Sequence, residues 1–138
     1  MLYKAHRDWW VAPGGKRETS ESIVDTCIRE YQEETGLTVV DLHLACIFTV
    51  VVQSDQQVVE EWMLYTFVCR EASGELLTES DEGMLAWQHT NEVFSLPMAE
   101  GDKVILNHVL NGSGILVGTF FYTEDYQLLD MRYQVMEV

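Results

Sequence analysis

The sequence is short of positive charge. Eight lysines and arginines stand against 23 acidic side chains, a formal net charge of -15. A chain this negative is repelled by polyanions, which argues against duplex nucleic acid and anionic membranes as partners. A small phosphorylated ligand is compatible only if cations screen the contact, and divalent metal is the natural source. Long apolar runs are also missing, and none approaches the roughly 20 residues of a membrane span. The opening segment, MLYKAHRDWW, lacks the apolar core of a secretory signal. Cysteine is sparse: Cys27, Cys46 and Cys69 are an odd number at wide spacing, without a paired ligand pattern. Buried, reduced thiols in a cytoplasmic protein are the expectation.

What is present points to a folded domain. With 47% hydrophobic residues in 138, residues 1–138 are expected to form one domain with a single core rather than a disordered acidic chain. Ile23, Val24, Cys27, Ile28 and Tyr31 recur at helical spacing, predicting an amphipathic helix that ends near Thr35. Ser20 or Ser22 is suited to cap its start, and Gly36 suits the left-handed position beyond its end. Leu37 to Gln53 predicts one or two strands, Ser54 to Gln57 a turn, and Val58 to Arg70 a further strand. Glu71 to Gly83 reads as an acidic loop, with Glu75–Leu77 extending briefly. Met84 to Gln88 reads as a short strand, and Asn91 to Phe94 as a helical turn. Asp102 to Leu110 has helical spacing, and Ile115–Tyr122 with Gln127–Val135 predicts a final hairpin. The expected class is α+β, a mixed sheet with two helices against it.

The chemistry concentrates between Gly15 and Leu37. Glu30, Glu33 and Glu34 are related by i, i+3 and i+4, so they share an arc of about 100° on one helix side. Glu30 and Glu34 border the apolar stripe. Carboxylates this close repel one another, and those at a buried margin lose hydration as well. A cation among them relieves both costs, and hard oxygen donors select Mg²⁺, Mn²⁺ or Ca²⁺. The Gly14-Gly15 turn can add a backbone carbonyl. A bare E-x-x-E-E is more often a solvated acidic face, but here the spacing runs further: G-x5-E-x7-R-E-x-x-E-E-x-G-L, from Gly15 through Glu21, Arg29, Glu30, Glu33, Glu34 and Gly36 to Leu37.

This segment resembles the Nudix box, the signature of hydrolases that cleave a nucleoside diphosphate linked to another group. Tyr31 departs from it, since an aliphatic residue is usual there. The resemblance implies a Nudix α/β/α sandwich with a box helix and a second, C-terminal helix. It implies that Glu30, Glu33 and Glu34 bind Mg²⁺ (Mn²⁺ as a substitute), with the carbonyl of Gly14 beside them. Glu21 and Arg29 would orient the loop and the carboxylates, and Gly15 and Gly36 would be structural. The general base would be Glu33 or Glu34, with Glu82 a further candidate. Less chain precedes the box than is usual in the family. The first strand is therefore expected to be missing, with Leu2–Ala5 as the end of the second.

Beyond the box, Thr78 to Trp87 resembles the metal-site loop of MutT-type enzymes, in which a tryptophan opens a strand. Glu82, five residues before Trp87, is the candidate extra ligand. The order of segments after it resembles the MutT homologues that hydrolyse oxidised purine nucleoside triphosphates such as 8-oxo-dGTP, giving monophosphate and pyrophosphate. Their acidic pair reading the purine edge is matched by Glu100, with Gly101 in second place and Asp102 following. Met98 matches the aromatic that stacks on the base, Val11 an upstream asparagine, and Phe48 lies on the strand expected to floor the pocket. Trp9 and Trp10 are expected in the core, and the scattered histidines receive no role. The same box would serve a hydrolase of ADP-ribose, a dinucleotide or a capped RNA end. A non-catalytic, nucleotide-sensing Nudix domain usually loses box glutamates, and all of them are present. The chain is expected to be a monomer or homodimer.

Overall fold

The computed structural model describes residues 1–137. In chain order the elements are β1 (Leu2–Lys4), β2 (Trp9–Val11), α1 (Ile23–Thr35), β3 (Thr38–Val40), β4 (His43–Ser54), β5 (Gln57–Val68), β6 (Glu71–Ser73), β7 (Glu79–Ser80), β8 (Gly83–Leu85), a 3-10 turn (Val93–Ser95), α2 (Glu100–Asn111), β9 (Ile115–Thr123) and β10 (Leu128–Met136). The expected α+β class stands, with each helix in its own compact unit. One unit comprises Met1–His43 and Cys69–Met98; the other runs from Leu44 to Val68 and from Ala99 onward.

The first unit holds an antiparallel sheet in the order β2-β1-β8-β7 and a two-stranded ribbon, β3-β6. β1 is paired on both sides, Leu2 with Val11 of β2 and with Leu85 of β8. The strand expected to start mid-element is therefore an interior strand with no open edge. Glu71–Gly83 is not the plain loop expected. Thr38, Val39 and Val40 pair with Ser73, Ala72 and Glu71, and Glu79 pairs with Met84. Glu75–Leu77 is not extended strand. The helix α1 packs on β3 and β7, and Leu2, Leu37, Val39, Leu85, Val93 and Met98 are buried in this unit.

The second unit is a mixed sheet in the order β10-β9-β4-β5. β4 and β9 run parallel, Cys46 beside Leu116 through Gln53 beside Thr123, while β9 and β10 form the expected hairpin. The β4–β5 turn falls on Asp55 and Gln56, both with positive φ (52° and 66°), a backbone twist that suits the strand twist. Inward residues of β4 and β9 pack with Ile105 of α2, and Phe48 stacks on Phe120 with centroids 4.0 Å apart.

Candidate active site

The box helix begins and ends where its sequence directs. Ser22 Oγ accepts the Asp25 N–H at 3.0 Å, and Asp25 Oδ2 accepts the Ser22 N–H at 3.2 Å. This reciprocal cap uses two amides that the helix itself leaves without partners. At the other end Gly36 takes φ 80° and donates its N–H to Gln32 O, a conformation that penalises a Cβ.

The loop before the helix is organised by Glu21 and Arg29. Arg29 donates from Nε to Glu21 Oε2 at 2.7 Å and from Nη2 to Glu21 Oε1 at 2.9 Å. Glu21 Oε1 also accepts the Glu18 N–H and the Thr26 hydroxyl. These donors favour its ionised form, Arg29 foremost, and hold its carboxyl down at about 2. Arg29 Nη2 reaches Lys16 O at 3.1 Å, which fixes the loop backbone. The same guanidinium contacts Glu30 at 2.9 Å and Glu33 at 3.2 Å through Nη1, and its bonds to Glu21 and Glu30 raise its own hold on its proton.

The three helix glutamates differ in environment. Glu33 is exposed, and Glu30 keeps only 17% of its side chain in solvent. Glu34 is buried at 9% exposure, as its place beside the apolar stripe leads one to expect. Its Oε2 accepts the Gly14 N–H at 2.9 Å, so the amide of Gly14 is what the structure aims at this carboxylate. Burial pushes the Glu34 carboxyl above its usual range. The Gly14 N–H opposes that shift, and the charges of Glu30 and Glu82 reinforce it. Glu82 therefore lies within electrostatic reach of the helix cluster, although it is remote in sequence. Its carboxylate is bonded by Lys4 Nζ, which lowers its pKa. Gly15 leaves room for Glu30, since a Cβ there would collide with the Glu30 carboxylate.

With Arg29 holding Glu30 and Glu33, and Lys4 holding Glu82, no three acidic, histidine or cysteine side chains among the described residues form a closed ligand set. The donors themselves still suit a hard divalent cation. They are carboxylate oxygens, one is desolvated and crowded by two like charges, and a glycine keeps the backbone close.

The base-recognition residues read from the sequence stand in different surroundings. Phe48 is fully buried against Phe120 and has no surface to offer a ligand; its inward register on a central strand makes it core. Met98 is buried too, and Val11 is half-buried in β2 opposite Leu2. Glu100 is exposed and paired with Lys103 at 3.3 Å. The acid withdrawn from water at the start of α2 is its neighbour Asp102, half-buried and pushed up to about 6 by desolvation. The sequence carried no signal for this, because both acids lie in the first helical turn. Trp87 does not open a strand: β8 ends at Leu85 and the indole is 73% exposed.

Residues 3–109 match the NUDIX domain family. The chain belongs to the Nudix family. It is 46% identical to the uncharacterised Nudix hydrolase YvcI of Bacillus subtilis over 132 residues, 96% of this chain and 84% of that protein. It resembles the crystal structure of a MutT protein from Bacillus halodurans with a TM-score of 0.93 and 51% identity, covering 96% of this chain and 87% of that one. A putative 8-oxo-dGTP diphosphatase 3 of Mycobacterium tuberculosis is 36% identical over 95 residues, 67% of this chain but only 42% of that protein. The elements described above are thus those of the MutT-like Nudix fold. The protein is a Nudix hydrolase, of a family that acts on pyrophosphate bonds of nucleotide derivatives and generally uses divalent metal. No helix among the described residues is long and apolar enough to cross a membrane.

Proposed function

We propose that this Nudix hydrolase cleaves (deoxy)nucleoside triphosphates, oxidised purines such as 8-oxo-dGTP among them, to the monophosphate and pyrophosphate. Residues 1–138 act as one domain, in the cytoplasm, with Mg²⁺ as the metal and Mn²⁺ as a substitute. The reading rests on one observation above all: the Arg29-centred cluster of Glu21, Glu30 and Glu33, with Glu34 desolvated beside it. The likeness to MutT-type proteins supports the substrate class.

Glu30, Glu33 and Glu34 would hold the metal, with the Gly14 carbonyl and Glu82 completing the set. When bound, the metal would neutralise charge on the phosphate oxygens and acidify the attacking water. Arg29 orients Glu30 and Glu33 from its fork to Glu21, and both carboxylates would turn from its guanidinium to the metal on binding. Glu34 is the proposed proton acceptor, because burial raises its affinity for a proton toward the operating pH. Lys4 screens Glu82, a task that a bound cation would share. Glu100 is the proposed contact to the purine edge, where its carboxylate can accept from N1–H and the exocyclic amine.

A panel of normal and oxidised (d)NTPs with Mg²⁺, read as pyrophosphate release, tests this. Turnover of at least one oxidised purine triphosphate is expected. Absence of turnover across the panel, or undiminished turnover in Glu33→Gln, overturns the reading.

A further inference from the structure

Among the described residues, β10 ends the second unit's sheet with a β-partner on one side only. The register sets Met131 beside Phe120, Tyr133 beside Gly118 and Val135 beside Leu116. Cross-strand partners share a face, and Phe120 and Leu116 are buried core. Met131, Tyr133 and Val135 therefore stand on the core face, yet they are 37%, 50% and 46% exposed. Tyr133 meets the ring of the buried Phe48 edge-on at 6.5 Å, so this apolar strip continues the core into solvent. The other face of the strand carries one charge of each sign, Asp130 and Arg132. Leu128–Met136 is therefore neutral in a chain of net charge -15. It also lacks the lysine and proline that blunt exposed edges.

We propose that β10 is the docking edge for a second copy of this chain, antiparallel, about a two-fold axis at Met131. Charge complementarity selects that partner and that register. With both core faces on one side of the joined sheet, an axis at Met131 sets Asp130 against the partner's Arg132 and Arg132 against the partner's Asp130. An axis at Asp130 or at Arg132 would instead oppose two like charges. The Met131 N–H now donates to Asp130 Oδ1 at 2.8 Å; docking replaces this local bond with the inter-copy ladder and frees Asp130 for arginine. Main-chain bonds supply the affinity of such strand addition, and the charge pairs fix its register. The proposal is independent of the catalytic reading, since β10 carries no box residue.

Sedimentation of the full chain over about two decades of concentration tests it, with far-UV circular dichroism confirming the fold of each variant. The wild type is expected to sediment as a reversible dimer. Asp130→Arg and Arg132→Asp singly should each weaken dimerisation at least about tenfold. The double exchange, which restores complementarity, should recover it. Met131→Lys, which faces its own copy at the axis, should also dissociate the dimer. A wild type that stays monomeric, single variants that dimerise as before, or a folded double exchange that stays monomeric overturns the proposal.

Discussion

Arg29 grips Glu21 with two nitrogens, at 2.7 and 2.9 Å, and the same side chain holds the backbone of Lys16 and the carboxylates of Glu30 and Glu33. A planar guanidinium can make this fork while still reaching two further acids; an ammonium has one nitrogen to share among them.

Arg29→Lys and Glu21→Gln are therefore expected to lower kcat/KM by about ten- to a hundredfold, because the groups that orient the proposed ligands are lost while those carboxylates remain. Steady-state kinetics with a Mg²⁺ titration checks this, and a raised Mg²⁺ requirement should accompany the loss. The Glu21 carboxyl is held at about 2 in the fold against 4.5 unperturbed, so its contribution to stability is present above pH 4.5 and fades as pH falls toward 2. The melting-temperature gap between wild type and Glu21→Gln should close over that same range.

Glu34→Gln separates catalysis from stability. The buried carboxyl is destabilised by desolvation and by Glu30 and Glu82, so the neutral amide should leave the melting temperature unchanged or higher. Turnover should fall by at least about a hundredfold if Glu34 is the proton acceptor. Mg²⁺ is expected to raise the wild-type melting temperature and to do so less in Glu34→Gln. A chelator should abolish turnover and Mg²⁺ restore it.

Asp102 carries a pH-dependent cost. Its carboxyl stands at about 6 in the fold against 3.8 unperturbed. The folded state thus binds the proton more tightly, and stability falls as pH rises from about 4 to 6. At pH 7.5, Asp102→Asn should be more stable than wild type by about 1–2 kcal/mol, after allowing for the lost favourable charge at the start of α2. Urea unfolding at pH 7.5 and pH 4 checks the sign, since the advantage should vanish at the lower value.

Gly36→Ala should destabilise the fold by about 1–2 kcal/mol. The left-handed φ of 80° penalises a Cβ, which would also lie 3.0 Å from Glu75 O and from Leu77 Cγ. Thermal or urea unfolding reads this directly, and the residual turnover of folded protein should stay close to wild type.

The sequence by itself determined what depends on neighbours along the chain. The limits of α1 follow from Ser22 and Gly36, the final hairpin from its alternating strands around Thr123–Asp125, and the acidic helix side on which the metal proposal rests from carboxylates one helical turn apart. The box spacing also identified the family. Tertiary structure alone decided what depends on segments far apart. β3 lies within the strand run read at Leu37–Gln53, but β6 and its pairing with β3 were illegible, because a three-residue strand carries no usable alternation and owes its form to a partner some thirty positions away. Lys4 beside Glu82 and the Gly14 amide on Glu34 arise the same way. So does the contrast between exposed Glu100 and desolvated Asp102, two acids that one helical turn presents alike in sequence. Burial and long-range charge are sums over the whole surrounding structure, and local pattern holds no record of them.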